Sequence, residues 1–260
     1  FDQVKEGLLS LHSEVILFEA EGTNGRAYNP RIAMHFTYSY KELDEGQRLN
    51  LDALYNDYFY HRHDTFCKDQ AMIKLPALKA ATDMLICGED LGMVPDCVPD
   101  VMRELGILSL EIQRMPKDSK QTFGHPADAP YLSVVSTSTH DMPTLRGWWE
   151  ADQSATQAFF NQILGIGGAA PFFCEPWIAE RIVEQHMFSR AMWAIFPLQD
   201  LLAIDGSVRR ENPVEEQISI PANSNHHWKY RMHMTLEELI KEKGFNDKLK
   251  RMVSDSGRLH

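Results

Sequence analysis

From residue 72 onward, short apolar runs alternate with stretches of helical period, and this rhythm limits the fold more than any other feature. The runs are Met84–Cys87, Leu108–Ile112, Ser133–Ser138 and Ala191–Phe196. Helical patterns lie between them. Met72 to Thr82 precedes the first run, and Val98, Val101, Met102 and Leu105 form a face that stops at Gly106, a helix-ending glycine. A further helix starts at Thr144, and another covers Glu175 to Ser189. Apolar strands separated by helices predict an α/β fold with a parallel sheet covered on both faces.

Upstream of residue 72 the pattern is mixed. Val15–Phe18 reads as a short buried strand, followed by a turn-rich stretch through Gly22, Asn24, Gly25, Asn29 and Pro30. Leu51, Leu54, Tyr55, Tyr58 and Phe59 recur at helical spacing, and Tyr58 to Tyr60 are read as a packed face, not a ligand stack. Gln217–Ile220 is expected to form a short strand, and Leu236–Lys243 a short helix. No repeat or low-complexity tract interrupts the chain.

Composition excludes several classes. With 43% apolar and 24% charged residues, the 260-residue chain is not disordered as a whole. It carries 26 Lys and Arg against 37 Asp and Glu, a formal charge of −11, and no basic block. That makes nucleic acid or an anionic membrane a poor partner. The apolar runs are far shorter than a bilayer span. Cys67, Cys87, Cys97 and Cys174 lack CxxC spacing and read as reduced cysteines of a cytoplasmic protein, with neither disulfide nor zinc. The opening Phe1-Asp2-Gln3 has no initiator Met and no secretory n-region, and is expected to lie inside a longer protein.

In parallel α/β folds, functional groups gather beyond the carboxyl ends of strands. Glu89 follows the run ending at Cys87, and His140-Asp141 follow the run ending at Ser138. Glycosyl chemistry needs an acid of raised pKa to protonate a leaving oxygen, and a carboxylate to stabilise positive charge at the anomeric carbon. Glu89 suits the first role if partly buried; Asp141 suits the second, with His140 bonding a hydroxyl. Helix capping, especially by Asp90, is the competing explanation, and spacing alone leaves both open. His61 and His63 point apart on a helix, so they are not read as a metal site. His226-His227 read as surface loop, and Gly165–Gly168 as a flexible loop with no phosphate-binding Lys. One of Trp148 and Trp149 is expected in the core, the other against a sugar.

The string Gly88-Glu89-Asp90-Leu91-Gly92-Met93-Val94-Pro95 resembles the 4-α-glucanotransferases, the amylomaltase or disproportionating-enzyme family. Three further segments agree in order: Leu110–Arg114, Ser138–Thr144 with Gly147-Trp148-Trp149, and Pro197–Leu202. The tail from Ile218 to Arg231 is also similar, so the resemblance covers about residues 72–240. It implies the carboxyl-terminal half, strands five to eight, of a TIM (β/α)8 barrel over residues 72–260, with residues 1–71 as the later part of an insertion between strands four and five. It further implies a retaining transfer of α-1,4-glucan between maltooligosaccharides, with no cofactor and no metal. By the match Glu89 is the general acid/base and Asp141 the transition-state carboxylate, while His140, Gln113, Trp148, Gln199 and Asp200 bind substrate.

The family's nucleophilic aspartate follows an Arg-x-Asp pattern after strand four. Upstream of Glu89 only Arg62-His63-Asp64 fits, in a helical stretch with no strand before it, so the nucleophile is expected to precede Phe1. The chain alone is then expected to be inactive and to self-associate, or to need its amino-terminal half. An α-glucan hydrolase and a non-catalytic carbohydrate-binding module are the alternatives.

Overall fold

The computed structural model describes residues 1–92, 94–223, 225, 226, 228 and 230–259. Met93 and His227, in segments singled out above, lie outside the described residues. The chain divides into two units, one of Phe1–Asp83 with Val94–Val101, the other of Met84–Met93 with Met102–His260.

The first unit is mainly helical. After α1 (Asp2–His12), β1 (Leu17–Glu19) and β2 (Tyr28–Pro30) form an antiparallel pair. All three β1 residues are exposed, contrary to the buried strand expected at Val15–Phe18, because a two-stranded ribbon has no second layer over it. After the short α2 (Tyr38–Lys41), α3 (Glu45–Asn56) opens with a capping box: Asp44 accepts the backbone N–H of Gln47, whose side chain accepts that of Asp44. The helix continues through a π turn at Asp57–Arg62 into α4 (His63–Ala80), which contains Pro76. Of the expected apolar face only Tyr55 is buried; Leu54 is exposed. Tyr55 packs on Phe59, and Tyr58 on Phe59 and His63. Arg62-His63-Asp64 therefore lies within helix, and Asp64 accepts the backbone N–H of Cys97 at 2.7 Å.

α5 (Val98–Leu105) ends as the glycine predicted. Gly106 has φ +64°, its N–H donates to Arg103 O, and that of Ile107 to Met102 O, the Schellman pattern that satisfies the last carbonyls. In the second unit the chain then enters β3 (Ser109–Ile112), which pairs in parallel with β4 (Ser133–Ser136); β4 pairs in parallel with β5 (Trp193–Ala194). A parallel bridge from Cys87 to Leu108 adds the Met84–Cys87 run at the other side of β3. This run is not a full strand: among the described residues its ladder is the single bridge from Cys87 to Leu108, just ahead of β3, and Met84 and Leu85 are exposed. The Ala191–Phe196 run also shrinks, and Trp193 and Ile195 are 50% and 56% exposed instead of covered. Ile195 N still donates to Val135 O, so the pairing runs slightly beyond β5.

Between β4 and β5 stand α6 (Leu145–Ala151), α7 (Gln153–Gln162) and α8 (Pro176–Met187); α9 (Leu198–Leu202) follows β5. Thr144 caps α6 by accepting Gly147 N–H, and Pro176 opens α8, both favoured helix starts. Leu145, Trp149, Phe159, Ile178, Ile182 and Leu202 meet in one core with at most 1% exposure. Gln217–Ile220 forms no strand among the described residues. Its polar groups are used locally, Gln217 Nε2 donating to Ser219 O and His226 Nε2 bonding Gln217 O. α10 (Leu236–Lys241) and α11 (Lys243–Asp255) close the chain.

Candidate active site

Because the Met84–Cys87 run, β3, β4 and β5 are parallel neighbours, the segments after them leave the sheet on one side. These segments carry Glu89, Gln113-Arg114, Ser138–Asp141 and Gln199-Asp200.

Glu89 is exposed, not partly buried as expected; among the described residues the ladder before it is the one bridge from Cys87 to Leu108. Gly88 N–H donates to Leu108 O at 2.8 Å, fixing the backbone just before it. A Cβ on Gly88 would stand 2.9 Å from Met102 Cε, so the glycine permits close packing. Asp90 is 2% exposed and caps no helix. Its Oδ1 accepts Leu110 N–H, and its Oδ2 meets Lys117 Nζ at 2.5 Å, which also reaches Glu111. Glu89 points outward while its neighbour holds the chain to β3.

His140 and Asp141 are both exposed, with His140 Nε2 3.1 Å from Asp141 Oδ2. The Trp228 ring lies 4.7 Å from that of His140, centroid to centroid, and is 63% exposed. The sequence reading missed Trp228; the available signal was a lone tryptophan in a polar tail.

The other expected substrate contacts are inside. Gln113 is 5% exposed, its Nε2 donating to Gln185 on α8. Gln199 is 3% exposed and donates to Glu216 O. Asp200 is fully buried and accepts hydrogen bonds from Thr137 Oγ1, Ser138 Oγ and Leu145 N. The segment order was legible, but which polar side chains face inward depends on loop geometry. Trp148 is half-buried, with the Arg114 guanidinium over its ring at 5.0 Å and Phe123 and Phe159 edge-on. Trp149 is the core member of the pair, its Nε1 donating to Pro171 O.

A cavity of about 330 Å³ beside β3 is lined by Glu111, Gln113, Lys117, His125, Val135 and His186. His186 donates through Nδ1 to Ile182 O, and burial pulls its pKa down to about 4. Arg146 Nη1 meets Glu216 Oε1 at 2.5 Å where both are buried, and burial raises the Glu216 carboxyl pKa against the pull of Arg146. Among the described residues no three His, Cys, Asp or Glu side chains are grouped to hold a metal, and no helix is long and apolar enough to cross a membrane.

A parallel sheet with helices in its connections, and polar segments leaving its strands on one side, defines the class as an α/β protein. The family model described as 4-alpha-glucanotransferase, glycoside hydrolase family 77, matches residues 34–236. This chain belongs to that family. It is 39% identical over 257 residues to the 4-alpha-glucanotransferase DPE2 of Oryza sativa subsp. japonica, covering 99% of this chain and 27% of that protein. A 4-alpha-glucanotransferase of Chlamydia muridarum is 32% identical over 189 residues, covering 70% of this chain and 34% of its own length. The chain thus spans about a quarter to a third of these curated relatives. The fold is similar to that of amylomaltase from Streptococcus agalactiae in complex with acarbose, with a TM-score of 0.56 and 18% identity over 73% of this chain and 35% of that one.

Proposed function

We propose that this chain is part of a retaining 4-α-glucanotransferase that passes α-1,4-glucan segments between maltooligosaccharides. The observation that carries the reading is the parallel order of the Met84–Cys87 run, β3 and β4, which sends Glu89 and the His140-Asp141 pair off the same side of one sheet. In this reading Glu89 protonates the leaving glycosidic oxygen and later deprotonates the acceptor hydroxyl. Asp141 stabilises the oxocarbenium-like transition state, and His140 with the open face of Trp228 receives the sugar. The residues form the carboxyl-terminal half of a (β/α)8 barrel, and the nucleophilic aspartate comes from the preceding part of the longer protein.

The test is the product pattern of the full-length protein on maltotriose. Longer maltooligosaccharides support transfer. Glucose and maltose alone point to the hydrolase, and binding without turnover to a carbohydrate-binding module.

A further inference from the structure

The segment from Thr137 to Leu145 carries exposed His140 and Asp141 at its crest, yet both of its feet are buried. Asp200, on α9 and fully buried, spans those feet. Its Oδ2 accepts Thr137 Oγ1 at 2.6 Å and Ser138 Oγ at 2.5 Å on the entering side. Its Oδ1 accepts Leu145 N–H at 2.8 Å on the leaving side. Arg114 makes a second span: Nε and Nη2 donate to Thr137 O at 3.3 and 2.9 Å, and Nη2 also donates to Pro143 O at 3.0 Å. A carboxylate that accepts three hydrogen bonds away from solvent offers nothing to a sugar, so any effect on chemistry must pass through the loop. Arg114 is of opposite charge, and its planar fork holds Thr137 O through two nitrogens while also reaching Pro143 O, a fixed geometry that the flexible stem and point charge of a lysine do not reproduce.

We propose that Asp200 and Arg114 are positioning residues for glucan transfer, clamping the Thr137–Leu145 loop at both feet so that Asp141 is held in its working place. The inference rests on the reading of Asp141 as the transition-state carboxylate. Stabilisation of a developing charge needs donors and carboxylates fixed in advance, and a displacement of about 1 Å can cost about 100-fold in rate.

The test is made in the full-length protein with maltotriose, using Asp141→Asn, Asp200→Asn and their double variant. Asp200→Asn keeps the size of the side chain and an acceptor for Leu145 N–H. It is expected to lower kcat about 10- to 100-fold, with KM within about threefold of wild type. If Asp200 acts through Asp141, the double variant falls little below Asp141→Asn alone. Arg114→Lys gives the same kcat-only signature. Should Asp200→Asn not fold, Ser138→Ala, which deletes one donor and strands no charge, is expected to lower kcat with KM unchanged. Wild-type kcat in Asp200→Asn, or losses that multiply independently in the double variant, overturn the inference. Intact transfer in Asp141→Asn instead overturns the reading of Asp141 itself, a result distinct from a collapse in Asp141→Asn beside full activity in Asp200→Asn.

Discussion

Asp90 Oδ1 accepts the backbone N–H of Leu110 at 2.9 Å, so the carboxylate next to Glu89 is bound to the adjoining strand. Two adjacent acidic residues thus divide the work, one inward to the sheet and one outward. Glu89→Gln removes a transferable proton while keeping the size of the side chain. In the full-length protein turnover of maltotriose is expected to fall about 10²–10⁴-fold, with sugar affinity little changed. Activated glycosyl donors, which need less protonation, are hurt less in the first step. Wild-type turnover on maltotriose would exclude Glu89 as the acid.

Asp141→Asn is expected to depress kcat more than substrate binding, since its contacts tighten as the sugar flattens. His140→Ala costs less, about 1 kcal/mol for one lost hydrogen bond, and Trp228→Ala is expected to raise KM. Steady-state kinetics with maltotriose separates these effects. A change only in melting temperature for Asp141→Asn would count against its catalytic role.

Arg146 and Glu216 form a buried pair, and Arg146 also donates to Arg210 O and Glu211 O. Removing one partner leaves an uncompensated charge, so Arg146→Met or Glu216→Leu alone is expected to cost about 3–5 kcal/mol of stability. The double variant recovers much of the loss. Thermal unfolding checks the order, and equal melting of single variants and wild type would contradict it.

His186 carries a pH prediction. Its folded pKa of about 4 lies below the ordinary 6.5, so between these values the unfolded state binds more protons. Stability is therefore full above pH 6.5 and falls as the pH drops toward 4, by about 3 kcal/mol at most. Glu216, its carboxyl pKa raised by burial, acts in the opposite sense: its ionisation costs stability as pH rises. Melting curves of wild type and His186→Asn from pH 7 to 4.5 isolate the histidine, because Glu216 is common to both. An identical pH dependence in the two proteins would refute the prediction.

Met84, Leu85, Trp193 and Ile195 are 75%, 49%, 50% and 56% exposed at the two sides of the sheet. Apolar area left in water costs about 25 cal/mol per Å², and unpaired strand edges invite association. The 260-residue chain alone is expected to self-associate and to lack transferase activity, and light scattering with a maltotriose assay reads both. A monodisperse, active monomer would disprove the half-barrel proposal.

Punctuation made much of the fold legible. Gly106 and Thr144 act at helix ends through their own backbone or side-chain chemistry, so their neighbours hardly matter. Strand extent was not legible in the same way. Met84–Cys87 and Ala191–Phe196 have strand composition, but how far a strand extends is set by the length of the ladder with its neighbour and by the layer that covers it. The site divided likewise. The placement of Glu89 and Asp141 beyond strand ends was legible from the runs before them, whereas the burial of Gln113, Gln199 and Asp200 is set by how loops fold back. Trp228 reaches His140 from 88 residues away in the chain, a separation no local pattern encodes.

The π turn at Asp57–Arg62 gives the Glu45–Ala80 helix one wide turn. Its i→i+5 bonding takes more residues into the turn than an α turn does, so the helix beyond it keeps its phase. Asp64, one turn further on, thus keeps its bearing toward Cys97, whose backbone N–H it accepts at 2.7 Å, although the helix before it carries a wider turn.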